Sequence, residues 1–429
     1  MSIQALHRRF SCYSDEDRHL RDAVDTSFCG SQTARRCRKG GSGCDSAIVC
    51  ERNAASSRLT AKMGELIQLD QGRQVERWTI EKKLGEGAFG AVYRCADAKT
   101  GNTYALKVEG ANEQIQLLKM EVFVLSELNK AGGRHFCKIE DKGRVDNFNY
   151  VVMTFVGKSL HDLRLQAPGK KYSIGTAISV GIQCLEALED LHGIGYLHRD
   201  VKPANFTIGR AELKELRKVY VLDFGMARKF VHEDGTIKKP RAAAGFRGTV
   251  KYAPIACHNQ RELCRLDDCE SWLYMQVELT KGSLPWRNMK DMDEIGRMKR
   301  NCRSDIPLKQ LFGGCPREYI DVMRVVDGGR FFDEPNYQRM YTLMRQALKT
   351  MQATEYPYDW ERWEEEKKKN EKPKEEPKKE KEEPKKEKEK EMKTGFEDDD
   401  AKDKKKEKEK EMKTGFEEDD PKEKKDKKK

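Results

Sequence analysis

Gly85, Gly87 and Gly90 fall in the spacing G-x-G-x-x-G, followed in order by Lys107, Asp200, Asn205 and Asp223. Glycine lets a backbone turn approach a triphosphate where a Cβ would block contact. A lysine downstream can hold phosphate oxygens, and an aspartate with an asparagine can hold the hard cation that bridges them. Such a set serves phosphoryl transfer, which asks for positioning and charge neutralisation more than covalent chemistry. A lone G-x-G-x-x-G also fits a dinucleotide site, but there it should open a helix. Here Ala91-Val92-Tyr93-Arg94-Cys95 continues as strand.

His198-Arg199-Asp200-Val201-Lys202-Pro203-Ala204-Asn205 is the most specific run in the chain. Asp200 is placed to accept or orient the proton of a substrate hydroxyl, Lys202 to steady the γ-phosphate of ATP, and Asn205 to hold a metal ion. Asp223 follows the apolar stretch Val219–Leu222 and should chelate the Mg2+ that bridges the phosphates. Lys107, flanked by Ala105 and Val108 on a strand, is the lysine for the α- and β-phosphates. Glu121, fourteen residues on, can supply its carboxylate partner. Glu113 competes for that role, but only Glu121 lies within a strongly periodic stretch beside Met120 and Leu125. The catalytic set is then Asp200, Lys202, Lys107 and Glu121, with Asn205 and Asp223 on the metal. Leu84, Gly85, Gly87, Gly90, Val92 and Ala105 join Lys107 around the nucleotide. His198 reads as a packed structural histidine, because this chemistry asks no acid–base work of it. Arg199 can bind an anion on the segment that follows Asp223, and Phe224 should pack beneath Leu125 and against His198.

These side chains need two kinds of support. Glu81–Leu84, Ala91–Cys95, Thr103–Val108 and Asn149–Phe155 cluster or alternate apolar residues at strand spacing. Gln114–Leu128, Ile174–Leu191 and Asp268–Leu279 carry helical periodicity. A strand-rich first lobe followed by a helix-rich second one makes the fold class α+β.

Composition sets the outer limits. From Glu361 to the end, 27 Lys/Arg face 27 Asp/Glu with almost nothing apolar, so this part cannot offset its chain entropy by burial. Lys385–Asp400 recurs as Lys405–Asp420, a period of twenty, but two copies without an apolar face cannot stack into a core. Residues 1–74, rich in Arg, Ser, Gly and Cys, read as a disordered extension with a short helix near Ala61–Leu69. Residues 75–362 form the folded domain and 363–429 a disordered tail. The thirteen cysteines are odd in number and form no C-x-x-C pair, which favours free thiols in a reducing compartment over zinc or disulfides. No stretch reads as a signal peptide or a membrane span. These features lead to a cytoplasmic monomer, with the nucleus also open to it, that engages neither nucleic acid nor membrane.

At this point the chain resembles the casein kinase 1 superfamily, most closely its tau-tubulin kinase branch, over Glu76 to Glu361. The resemblance rests on Phe148-Asn149-Tyr150-Val151-Val152-Met153, on Gly245-Phe246-Arg247-Gly248-Thr249-Val250-Lys251-Tyr252-Ala253, on Leu284-Pro285-Trp286 and on Tyr358-Asp359-Trp360-Glu361. It implies a two-lobed protein kinase fold, with a small β-rich N-lobe and a larger helical C-lobe, using ATP and Mg2+ to phosphorylate Ser or Thr of protein substrates. It makes Met153 the residue behind the adenine, with the backbone of Thr154 and Val156 bonding the base. Asp268 becomes the aspartate that braces the catalytic loop. Two departures stand out. Ala253-Pro254-Ile255-Ala256 replaces the usual Ala-Ser-apolar-Asn, and Ala244 stands where casein kinase 1 proper has a phosphate-binding lysine, leaving Arg247 and Lys251 as anion contacts.

An active kinase is the expectation, because Lys107, Glu121, Asp200, Asn205 and Asp223 are all retained. A pseudokinase or scaffold using the same fold is the alternative. The charged tail offers a cytoskeletal contact, set against a simple solvating role, and Thr394 and Thr414, each followed by acidic runs, invite phosphorylation by an acid-directed kinase.

Overall fold

The computed structural model describes residues 67–87, 90–113 and 116–363. The expected disorder of the two extensions, the tail repeat, Thr394 and Thr414 lie outside them. Of the helix expected near Ala61–Leu69 only the last three residues are described, and they are not helical. Leu69 instead donates its N–H to the Tyr93 hydroxyl at 3.0 Å.

The N-lobe is a six-stranded antiparallel sheet. Its strands are β1 (Gln74–Val75), β2 (Trp78–Gly87), β3 (Gly90–Asp97), β4 (Thr103–Gly110), β5 (Ile139–Val145) and β6 (Phe148–Thr154), in the order β1-β2-β3-β4-β6-β5. Alternation along the strands gives each face its own work. Leu106, Val108, Tyr150 and Val152 point into a core with Trp78, Ile80 and Tyr93. Ala105, Val151 and Met153 point the other way, into the large core shared with the C-lobe. Lys107, between Leu106 and Val108, therefore shares the second face. Gly90 permits the tight β3–β4 pairing, since a Cβ there would meet the Val108 carbonyl oxygen at 2.0 Å.

Helix α1 (Leu117–Ala131) lies against that second face. Periodicity suggested a start at Gln114, yet Gln116 is non-helical and provides no side-chain cap. The cap comes from the sheet. Buried Glu109 accepts the N–H of Leu117 at 2.8 Å and that of Leu118 at 3.2 Å, satisfying amides that a helix start leaves unpaired. Gly132, in the left-handed conformation with φ 75°, closes the other end.

The C-lobe is helical: α2 (Leu160–Gln166), α3 (Ile174–Gly193), α4 (Ile255–His258), α5 (Arg265–Lys281), α6 (Met292–Asn301), α7 (Asp305–Phe312), α8 (Glu318–Asp327) and α9 (Tyr337–Thr350). α3 and α5 are buried along most of their length and form its centre. Ser173 caps α3, and its own N–H donates to Asp359 at 2.7 Å. Tyr358 and Trp360 are buried beside Tyr172, which fastens the end of the described chain to the lobe. Two short strand pairs complete the fold, β7 (Tyr196–Leu197) with β10 (Arg228–Lys229) and β8 (Phe206–Ile208) with β9 (Val219–Val221). The eight described cysteines are all free thiols.

Candidate active site

The β8–β9 pair explains why two residues eighteen apart in sequence become neighbours. Phe206 pairs with Val221, so Asn205 precedes one strand and Asp223 follows the other at the same end of the ladder. The Leu222 N–H donates to the Asn205 carbonyl at 2.8 Å and locks that end. Asp223 itself has φ 64°, which turns the chain sharply after β9. Asn205 donates its side-chain N–H to the Asp200 carbonyl at 2.9 Å, leaving its amide oxygen as a ligand for a hard cation.

Lys107 ties this assembly to the N-lobe. Its ammonium forms an ion pair with Glu121 on α1 and stands 3.6 Å from Asp223 Oδ1. Burial pushes against the lysine's charge, but Glu121 and then Asp223 outweigh it and hold the pKa above the usual lysine range. The same balance acts on Asp223. Burial raises its pKa, yet Lys107 foremost, with His198, the Gly225 amide and Lys202, keeps it below the ordinary carboxylate value. Its side chain is still 47% exposed, so a carboxylate oxygen remains open to a cation. Glu113 has no such contact with Lys107.

Asp200 is held on both oxygens. Oδ2 accepts from Lys202 Nζ at 2.6 Å, and Oδ1 accepts from the Thr249 amide at 2.9 Å and hydroxyl at 2.8 Å. Gly248, with φ 84°, brings Thr249 in: a Cβ there would meet the Arg199 carbonyl oxygen at 2.5 Å. Behind the loop, buried Asp268 accepts the N–H groups of His198 at 2.7 Å and Arg199 at 2.9 Å, and contacts His192 Nε2 at 2.9 Å. Burial raises the Asp268 pKa, but His192, with His198 and its amide, carries it below the usual value. His198 is fully buried, its ring 5.6 Å from that of Phe224, while Phe224 lies in the same core as Leu125. Arg199 Nε donates to the Met226 carbonyl at 2.7 Å.

Around the nucleotide position, Ala105 and Met153 are buried opposite each other on β4 and β6, Val92 is partly buried, and Leu84 is exposed. A Cβ added at Gly85 would meet nothing within 4 Å, and one at Gly87 only the Gly90 carbonyl oxygen at 3.9 Å. That open cradle, the Lys107 charge and the oxygen ligands of Asn205 and Asp223 fit a nucleoside triphosphate with a divalent cation. The Thr154 amide is spent on the Lys138 carbonyl at 3.0 Å, so it cannot donate to a base. The Val156 amide has no hydrogen-bond partner among the described residues.

Three supporting residues were not singled out by sequence reasoning: Thr249 for its bonds to Asp200, Glu109 for its cap on α1, and His192 behind Asp268. Thr249 lies inside the Gly245–Ala253 run, and Glu109 follows Lys107 at same-face spacing, so both left a signal. His192 left none. One expected anion contact is corrected: the Lys251 ammonium is ion-paired with buried Glu278 and is not a spare charge.

The protein kinase domain model matches residues 78–365. A probable serine/threonine-protein kinase of Dictyostelium discoideum is 37% identical over 286 residues, 66% of this chain and 56% of that protein. The serine/threonine-protein kinase spe-6 of Caenorhabditis elegans is 39% identical over 290 residues, 66% of this chain and 76% of its own. A nematode protein provisionally named a casein kinase I is 31% identical over 291 residues, 67% of this chain and 84% of its own. The chain belongs to the protein kinase family, in its ATP-dependent serine/threonine class.

Proposed function

We propose that the chain is an active kinase of the tau-tubulin kinase-like branch of the casein kinase 1 superfamily, transferring the γ-phosphate of ATP to Ser or Thr of protein substrates. The observation that carries this reading is the continuous contact from Glu121 through Lys107 to Asp223, alongside an Asp200 held by Lys202 and Thr249. Asn205 and Asp223 would hold Mg2+, which neutralises charge on the phosphates when bound. Lys107, fixed by Glu121, would orient the α- and β-phosphates. Asp200 would take the proton of the substrate hydroxyl as its oxygen bonds to the γ-phosphorus and the bond to the leaving ADP oxygen breaks. Lys202 would balance the negative charge that gathers between them.

Acidic or cytoskeletal proteins are the substrates favoured by the excess of Lys and Arg in residues 1–360. The tail would then add a cytoskeletal contact.

Purified full-length protein with Mg2+ and ATP should phosphorylate dephosphorylated casein, and Asp200→Asn should abolish this. Equal incorporation by both would sink the reading. Nucleotide binding without transfer would mark the chain as a scaffold instead. Removing residues 364–429 should lower microtubule cosedimentation, and unchanged pelleting would dismiss the tail contact.

A further inference from the structure

Among the described residues, Lys299 is a lysine with no exposed surface. Along α6 the residues Ile295, Gly296 and Lys299 form the inward face, while Arg297 and Arg300 face solvent. Gly296 lets the helix lie close to α4, since a Cβ there would stand 3.0 Å from His258. A lysine with no exposed surface is costly unless every donor is used. Here Nζ donates to the Val250 carbonyl at 2.7 Å and to the Ala253 carbonyl at 2.6 Å, and it meets His258 Nε2 at 3.1 Å. Its ammonium also stands 5.2 Å from the Tyr274 ring centre and 5.3 Å from that of Trp286. No carboxylate among the described residues lies within ion-pair distance of it.

An apolar side chain would fill this space at lower cost, so the carbonyls are what the lysine is there for. They belong to the segment that begins with Thr249. The Trp286 indole N–H donates to the Lys251 carbonyl at 2.8 Å, and the Lys251 ammonium and Tyr252 hydroxyl both bond Glu278. Thr249, at the head of this stretch, accepts the N–H groups of Tyr252 and Ala253, each at 2.9 Å, and donates to Asp200.

We propose that Lys299 is a positioning residue for phosphoryl transfer: from beneath, it fixes the Val250 and Ala253 carbonyls and so sets the Thr249 that holds Asp200. The proposal rests on the kinase activity put forward above. Lys299 touches neither substrate nor nucleotide and acts only through the segment it carries.

The test uses Lys299→Met in the full-length protein, with three measurements: kcat on dephosphorylated casein, the affinity for Mg·ADP, and hydrogen exchange of amides 249–253. The expected result is a kcat at least tenfold lower, nucleotide affinity within twofold of the parent and faster exchange in that segment. Lys299→Gln, which keeps two donors, should recover part of the kcat. Should Lys299→Met fail to accumulate as folded protein, the Gln variant carries the same readings. Unchanged kcat, or a loss that falls equally on nucleotide affinity, would overturn the assignment. If the parent itself transfers no phosphate, the activity reading fails separately, and unaltered exchange at 249–253 would still dismiss the role of Lys299.

Discussion

The two sides of the cleft are built on opposite plans. On the nucleotide side, Lys107 and Asp223 come from different lobes, stay partly exposed and meet at 3.6 Å, with carboxylate and amide oxygens left over. On the acceptor side, Thr249 to Ala253 is tied from beneath by Lys299, Trp286 and Glu278, and Asp200 is only 8% exposed. One side keeps unspent charge for a ligand that brings its own. The other fixes a single carboxylate before any substrate arrives, which is what electrostatic preorganisation requires.

Asp200→Asn removes the proposed proton acceptor while leaving both sides in place. It should cost about a thousandfold in kcat, within the range of general acid–base catalysis, with nucleotide affinity retained. Parallel kinetics and nucleotide binding check it. Lys107→Met attacks the nucleotide side alone. A loss of about a hundredfold in kcat/KM for ATP is expected, with hydrogen exchange at 249–253 unaltered; faster exchange there would erase the contrast. Thr249→Val is its counterpart on the acceptor side. It deletes one hydrogen bond to a charged acceptor, about 1.5–3 kcal/mol, so kcat should fall roughly tenfold to a hundredfold while the affinity for nucleotide holds.

Two smaller effects sharpen the comparison. Glu109→Ala uncaps α1 and should lower stability by about 1 kcal/mol, read from denaturant midpoints, with a raised KM for ATP because Glu121 rides on that helix. The last concerns pH. Burial foremost, with Arg303 adding to it, pulls the Lys299 pKa down to about 7 against the pull of Glu270 and Cys257. Between there and the ordinary lysine range the unfolded chain binds more protons than the folded one. The contribution of Lys299 is therefore fully present at alkaline pH and lost as pH falls toward about 7. The stability of the parent relative to Lys299→Met should accordingly rise from about pH 7 to pH 10. A flat difference would mean the lysine keeps its charge throughout.

What could be read in advance was whatever depends on local spacing. The glycine turn, the Lys107 strand and the loop from His198 to Asn205 carry their chemistry within a few residues of sequence. The strand Ile139–Val145 escaped notice because most of its residues are polar and it lies at a sheet edge, exposed along much of its length. The four helices after α5 were not delimited, although each buries one apolar face and so carries the period of a helix. Lys299 could not have been told from Arg297 or Arg300 by type. Only the packing of α6 against α4 shows which cation faces inward.

Asn205 and Asp223 sit at the end of one strand pair, whereas Lys107 is carried by the other lobe. If the lobes part, Asn205 and Asp223 keep their spacing while Asp223 loses the neighbour that most favours its ionised form. The Lys107–Asp223 contact is thus a gauge of closure, since its 3.6 Å span exists only while the two lobes meet.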